Sequence, residues 1–385
     1  MKRFGASMRF APVFCSMLML AVLSVPRAVQ AQYTWQANMG AQSHDMGTQA
    51  NAFLPNELWI NAGDSIKWTS HADAIHTVSF LKQVAGLPFN IFTTGASTGG
   101  TSRPSFIGPF GPFLPPAGCA GDAQGGTAVT PSGSSFNGSA CVNSGPFAED
   151  ATTPFYTVTF PAPGNFKLVC LVHRDMTGVV HVLASGAPLP HEQAFYDNQA
   201  ADEARDLITD NDHEGEWGDH DRGESPMNAV TAGIGEVVAT GGGKQYRAVL
   251  RFLRARIRVH VGDTVEWTNL DPAEPHTVTF GDEPGGPADP SHCPSSSSPF
   301  PPPPFGPPCS VDADAAVHAT ISTVPGTPGA RVHSGFIAAA LQDQDLQTAL
   351  GVQRFRVTFN QAGTFHYICA IHDQLGMVGD VIVKP

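Results

Sequence analysis

The chain has 385 residues, a formal net charge of −13 and 42% hydrophobic residues. That length accommodates two ordinary domains, and the acidic balance excludes nucleic acid as a natural partner. With 40 glycines and 33 prolines, the composition favours loop-rich all-β domains over helix bundles.

Residues 1–31 read as a secretory signal. Lys2, Arg3 and Arg9 form the charged start, and Ala11 to Val25 is an apolar run too short to span a bilayer. Val29-Gln30-Ala31 places small residues for cleavage, so the mature chain is expected to start at Gln32 and to be exported, to the periplasm or the medium. No second apolar run reaches spanning length, so no transmembrane segment is expected after cleavage. Cys15 lies inside the apolar run, away from any lipid-attachment position.

Leu58-Trp59-Ile60, the turn at Gly63-Asp64 and then Ser65 to Thr69 read as strand, turn, strand. His76-Thr77-Val78 follows on another strand. Residues 83–150 are rich in Gly, Pro, Ser and Ala and read as a long insertion. Phe155 to Phe160 and Phe166 to Val172 form a hairpin, and Val179 to Leu183 a closing strand. These elements define a first domain over 32–185.

Residues 186–228 are an acidic linker, expected to be mostly solvated, whose spacing admits a short helix from Glu192 to Ile208. The second domain, 229–385, repeats the first. Ala255, Ile257, Val259 and Val261 alternate with Arg254, Arg256, Arg258 and His260, an apolar face against a basic one. The arginine stripe is expected to pair with the acidic linker. A second insertion covers 281–350, then Phe355 to Phe359 and Phe365 to Ile371 form the hairpin and Val381 to Val383 closes.

The repeat holds a constant register: Gly63-Asp64 recurs as Gly262-Asp263, Trp68 as Trp267, Val158-Thr159-Phe160 as Val357-Thr358-Phe359, Cys170 as Cys369 and His173 as His372. Such agreement over this length means duplication of a whole domain. Short strands between frequent turns indicate a sandwich in each copy.

An exported chain meets an oxidising compartment. Cys119 with Cys141, and Cys293 with Cys309, lie within the two insertions, and each pair can close a loop, although spacing alone does not settle connectivity. Cys170 and Cys369 stand apart, each within an apolar strand pattern. The first hairpin continues as Cys170-Leu-Val-His173-Arg-Asp-Met176, the second as Cys369-Ala-Ile-His372-Asp-Gln-Leu-Gly-Met377. With His76 and His276 upstream, each domain offers two imidazoles, one thiol and one thioether. Soft sulfur favours Cu(I), and imidazole suits both oxidation states; two His and one Cys with a weak axial Met is the blue-copper pattern. Zinc gives no reason for the methionine. His44 with Met46 reads as an exposed polar segment, and His181, His260 and His366 as structural.

The second copy resembles plastocyanin in its Cys–His–Met spacing, and the first resembles amicyanin, with only two residues between His and Met. The Gly-Asp turn, the following Trp and the His-Thr-Val strand are similar to bacterial members of that family. The resemblance covers 53–80, 143–185, 249–280 and 333–385. It implies two Greek-key cupredoxin β-sandwich domains in tandem, with long loop insertions, an all-β fold. It implies two type 1 copper ions, one held by His76, Cys170, His173 and Met176, the other by His276, Cys369, His372 and Met377. It also implies single-electron shuttling with a redox protein such as a cytochrome or a copper enzyme. Copper delivery or storage is the alternative. Enzyme activity is not expected: the sequence has no His-x-His pair for a trinuclear cluster, and the cysteines are flanked by Val169/Leu171 and Ile368/Ala370, not by His.

Overall fold

The computed structural model describes residues 32–80, 134–139, 142–145, 147, 154–170, 173, 175–209, 228–272, 274–281, 318–321, 332–334, 337 and 354–385. The expected signal at 1–31, the two expected cysteine pairs, most of the two insertions and the linker from 210 to 227 lie outside these residues. Among the described residues no helix is long and apolar enough to cross a membrane.

The first domain contains β1 (Thr34–Gln42), β2 (Thr48–Leu54), β3 (Glu57–Asn61), β4 (Ser65–Ser70), β5 (Ser79–Phe80), β6 (Ser134–Ser135), β7 (Val142–Asn143), β8 (Phe155–Thr159), β9 (Gly164–Val169) and β10 (Thr177–Leu183). A helix, α1 (Gln193–Thr209), follows. The second domain repeats the set as β11 (Ala229–Ala239), β12 (Lys244–Leu253), β13 (Arg256–His260), β14 (Thr264–Leu270), β15 (Thr279–Phe280), β16 (His318–Ile321), β17 (Val332–His333), β18 (Arg354–Phe359), β19 (Gly363–Ile368) and β20 (Val378–Lys384). Each domain is a sandwich of two sheets. One sheet of each domain is its own, β3-β10-β9-β5-β7 in the first and β13-β20-β19-β15-β17 in the second.

The other two sheets are one. Strand β2 pairs antiparallel with its own counterpart β12, from Tyr246 opposite Asn51 to Val249 opposite Thr48. The result is a single ten-stranded sheet, β16-β18-β14-β11-β12-β2-β1-β4-β8-β6, that reads the same outward from its centre in either direction. Pairing like with like removes two exposed sheet edges at once. Further bonds cross the join: Lys244 N–H donates to Thr177 Oγ1 at 3.0 Å, and Lys244 Nζ meets Asp175 at 2.7 Å.

The alternation drives the packing. In β4 and β18 every second side chain is buried, and Trp68 and Trp267 lie fully inside their sandwiches. In β13 Ile257 and Val259 face in while Arg256, Arg258 and His260 face out. By contrast every residue of β2 is buried. One face meets the sandwich core through Phe53; the other, with Ala50, Ala52 and Leu54, is covered by Ala200 and Leu207 of α1. Burial at Tyr196, Ala200 and Leu207 is the helical spacing of a single stripe. Gln193 clasps Gln36 through two main-chain bonds of 2.9 Å, and Tyr196 Oη accepts from Trp59 N–H at 3.0 Å.

Several expectations need correction. The start of the acidic linker is not solvated: α1 packs on the first domain, and Glu203 accepts from Asn56 N–H and, in the second domain, from Gln245 Nε2. His44, in the tight turn between β1 and β2, is exposed as expected, but Met46 in the same turn packs against the second domain's core. Of the arginine stripe, Arg256 pairs with Asp380 at 3.3 Å and Arg254 donates to the Ala229 carbonyl at 3.1 Å, while the acidic linker residues from 210 to 227, the expected partners, lie outside the described residues. Parts of the insertions complete the sandwiches as β6, β7, β16 and β17, strands of two to four residues too short to show a period.

The duplicated Gly-Asp turn has diverged in duty. Asp64 is buried and accepts from Tyr33 N–H, Trp35 Nε1 and Asn61 N–H at 3.0 to 3.1 Å. Asp263 is 40% exposed and accepts from His260 N–H. Asp64→Ala is therefore expected to destabilise the protein by about 2–3 kcal/mol, because buried donors lose their acceptor, and Asp263→Ala by less than about 1 kcal/mol. Denaturant midpoints of the two variants check this; equal shifts would contradict it.

Candidate metal centre

The two ligand loops begin where β9 and β19 end. Cys170 and Cys369 sit one residue past their strands, not within them, because each cysteine N–H leaves the ladder and donates to the carbonyl of Met176 or Met377 at 3.0 Å. That bond closes the loop on itself. The second loop is longer by two residues and absorbs them in a short 3-10 turn, Asp373–Leu375, ended by Gly376 in the left-handed region at φ +87°. Met176 and Met377 are fully buried at the loop ends.

The remote histidines lie just before β5 and β15, the strands that pair with β9 and β19 in the same sheets. His76 and Phe147 exchange two main-chain bonds of 3.0 Å; His276 and Ile337 do the same at 3.0 and 2.7 Å. These short bridges fix the imidazoles against the loops. In the first domain His76 Nδ1 lies 2.9 Å from His173 Nδ1, and Cys170 Sγ 3.6 Å from His173 Nδ1. In the second, His276 Nδ1 lies 3.2 Å from His372 Nδ1, and Cys369 Sγ is 3.9 and 3.5 Å from the two nitrogens. Each trio of ligand atoms falls within 4.8 Å. Neither Cys170 nor Cys369 is in a disulfide. Thus six of the eight residues singled out in the sequence converge by their donor atoms, three to a site, and the two methionines close the same loops.

Main-chain amides turn toward the sulfurs. Thr77 and His173 N–H both donate to Cys170 Sγ at 3.4 Å, and Thr277 N–H donates to Cys369 Sγ at 3.3 Å. Burial opposes charge on all these groups. It holds His76 well below the usual imidazole range, with the charge on His173 adding to the effect. His173 is raised to about 10 in spite of its burial, by the Glu274 carboxylate and by Cys170. Burial likewise pushes the Cys170 thiol up, yet the bonds and charge of His173 bring it below its ordinary value. Cys369 falls well below, despite burial, under the pull of His372 and His276. His276 is raised to about 9 against its burial by Asp271 and Cys369. Each pocket therefore favours a thiolate beside a positive charge, which is what a bound cation provides.

Copper fits this donor set. Two imidazole nitrogens face each other at 2.9 or 3.2 Å with a buried cysteine sulfur beside them, and a fully buried methionine stands at the end of each loop. Residues 238–384 match the family described as copper binding proteins, plastocyanin/azurin family. Over nearly its whole length the second domain is similar to the plastocyanin/azurin family. The first domain repeats its strand order and its ligand positions, so the chain is two cupredoxin sandwiches in tandem. No curated protein sequence matches the chain. Among solved structures it is similar to a mutant plastocyanin of a fern, at 18% identity over 40% of this chain and 99% of that one, with a TM-score of 0.18. It is also similar to a purple cupredoxin from Nitrosopumilus maritimus, at 20% identity, 40% and 98% coverage and TM-score 0.18. A copper-containing nitrite reductase from Thermus scotoductus matches at 12% identity, 92% and 68% coverage and TM-score 0.21. At these identities and scores none of the three bears on activity.

Three residues outside the sequence reading shape the cupredoxin sites. Gly40 and Gly233 stand at bulges in β1 and β11, at φ +70° and +76°, where the register of each strand shifts. A Cβ there would lie 2.7 Å from His76 Nε2 and 2.0 Å from His276 Nε2. The glycines leave the remote imidazole its space. The third is Glu274, whose Oε1 meets His173 Nε2 at 2.9 Å across the domain join. The signals were a glycine at matching places in the two copies and an acid two residues before a ligand histidine; neither is distinctive without the fold.

Proposed function

We propose that the protein is an exported electron carrier with two type 1 copper sites, one built from His76, Cys170, His173 and Met176, the other from His276, Cys369, His372 and Met377. The observation that carries this reading is the buried convergence of two imidazole nitrogens and one sulfur in both halves of the chain. Copper so bound supplies a single electron by passing between Cu(I) and Cu(II). The chain contributes a rigid ligand frame. The remote histidine is fixed by its bridge, the cysteine by amide donors to its sulfur, and the loop by its closing bond, so little rearrangement accompanies a change of charge. Burial of the thiolates favours retained metal over metal handed on, which sets this reading above copper delivery or storage. A small redox protein, a cytochrome or a copper enzyme, is the proposed partner, and export follows from the charged and apolar start of the sequence.

Purified protein loaded with copper should show intense visible absorption that a one-electron reductant bleaches, with two electrons taken up per chain, and that an oxidant restores. It should not turn over oxygen or nitrite. A colourless Cu(I) form that passes its metal to a chelator without cycling would favour delivery, and steady turnover would favour an enzyme.

A further inference from the structure

The two ligand sets are joined by bonds. His173, at 6% exposure, is closed off by the second domain: its Nε2, the ring atom facing away from the ligand cluster, meets Glu274 Oε1 at 2.9 Å. Glu274 is itself held firmly. Its N–H donates to Asp271 Oδ1 at 2.8 Å, and its carbonyl accepts from Asn269 Nδ2 at 2.8 Å. The carboxylate is 13% exposed. Only Pro275 separates Glu274 from His276, the remote ligand of the second set. The contact has no twin, since Ala74 stands two residues before His76. A buried acid reaching from one domain's ligand segment to the other domain's ligand is more than the domain join requires, because β2 and β12 already pair through their main chains.

We propose that Glu274 is the bridge through which the two sites exchange an electron within one molecule; this rests on the electron-carrier reading. The path runs from His173 through its hydrogen bond to the Glu274 side chain, then along the main chain across Pro275 to His276. In the exchange a reduced ion in one set loses one electron and an oxidised ion in the other gains it. No covalent bond is made or broken, and the proton on His173 Nε2 stays in its bond to the carboxylate. Glu274 is a positioning residue: it acts through His173. Because the contact is one-sided, site 1 faces inward across the join, while His372 of site 2, partly exposed, is the ligand open to an outside partner.

The test uses the full chain with copper in both sites, half-reduced by a flash or pulse, and follows the visible absorbance. The wild type should show a fast, concentration-independent phase of electron exchange. Glu274→Ala should slow that phase by at least about tenfold, the scale on which partners of a histidine ligand act, with both visible bands retained. Glu274→Gln keeps an acceptor for His173 Nε2 and should keep the rate. In both variants the potential of site 1 should rise, since a negative charge beside its ligand is lost; a change in driving force alone would therefore shift the rate of both variants alike, in the same direction. An unchanged rate in Glu274→Ala overturns the proposal, as does an unmoved site 1 potential in Glu274→Gln, which remains measurable if the alanine variant fails to fold. A wild type that is loaded and cycles but has no intramolecular phase overturns the bridge alone. A wild type that takes up copper without visible absorption or reversible cycling overturns the carrier reading beneath it.

Discussion

Cys170→Ser and Cys369→Ser should each remove one copper ion and about half of the visible absorbance, leaving the other site intact. The argument is one of ligand chemistry. The colour arises from charge transfer between thiolate and metal, and a serine hydroxyl does not ionise in this pH range. Each sulfur is fully buried and accepts an amide N–H from the segment bearing the remote histidine, Thr77 or Thr277. Oxygen in that position is smaller and accepts the same bond, so the fold should survive with a modest loss, about 1 kcal/mol. The two sites lie in separate sandwiches with separate loops, so the losses should be independent and the double variant colourless. Metal analysis and absorbance of the three variants check this. Full colour in either single variant would show that its cysteine is not a copper ligand.

Gly233→Ala should disable the second site without touching either of its sulfur residues. The added Cβ would sit 2.0 Å from His276 Nε2, far inside contact distance, on a ring that is fully buried and pinned by its bridge to Ile337. The ring must tilt or the bulge must open, and the left-handed φ of +76° itself costs alanine about 1 kcal/mol. Displacement of a ligand histidine by its neighbour is expected to weaken copper at that site by roughly 10–100-fold. Gly40→Ala places its Cβ 2.7 Å from His76 Nε2 and 2.8 Å from the Ala72 methyl, so its effect on the first site should be milder. Competitive copper titration of each variant, read against its intact partner site, measures this ratio. An unchanged affinity in Gly233→Ala would show that the bulge is not what positions His276.

The ligand clusters were legible in the sequence for a chemical reason. Cys, His and Met stand close together in one loop, and a His-Thr-Val strand precedes them at nearly the same distance in each copy. The strand alternation at 254–261 and the hairpins around Phe160 and Phe359 were legible because one face of each is core. What was not legible depends on packing between the copies. Strands β1, β2 and β11 gave no clear signal. In β2 both faces are covered, one by the sandwich and one by α1, so alternation vanishes and small residues take its place. The glycines at 40 and 233 carry no signal of their own until the bulges put them against an imidazole. Glu274 reads as one acid in an acidic chain until the join of β2 to β12 carries it to His173. The length of the second ligand loop was plain, but not that a 3-10 turn with a left-handed glycine takes up its extra residues.

Copper titration of the metal-free mature protein, followed by visible absorbance, goes most directly to the centre of this account. Two metal equivalents should be needed to reach full colour, each contributing a comparable share, with no further rise after the second. Saturation at a single equivalent, or uptake of two without colour, would contradict it.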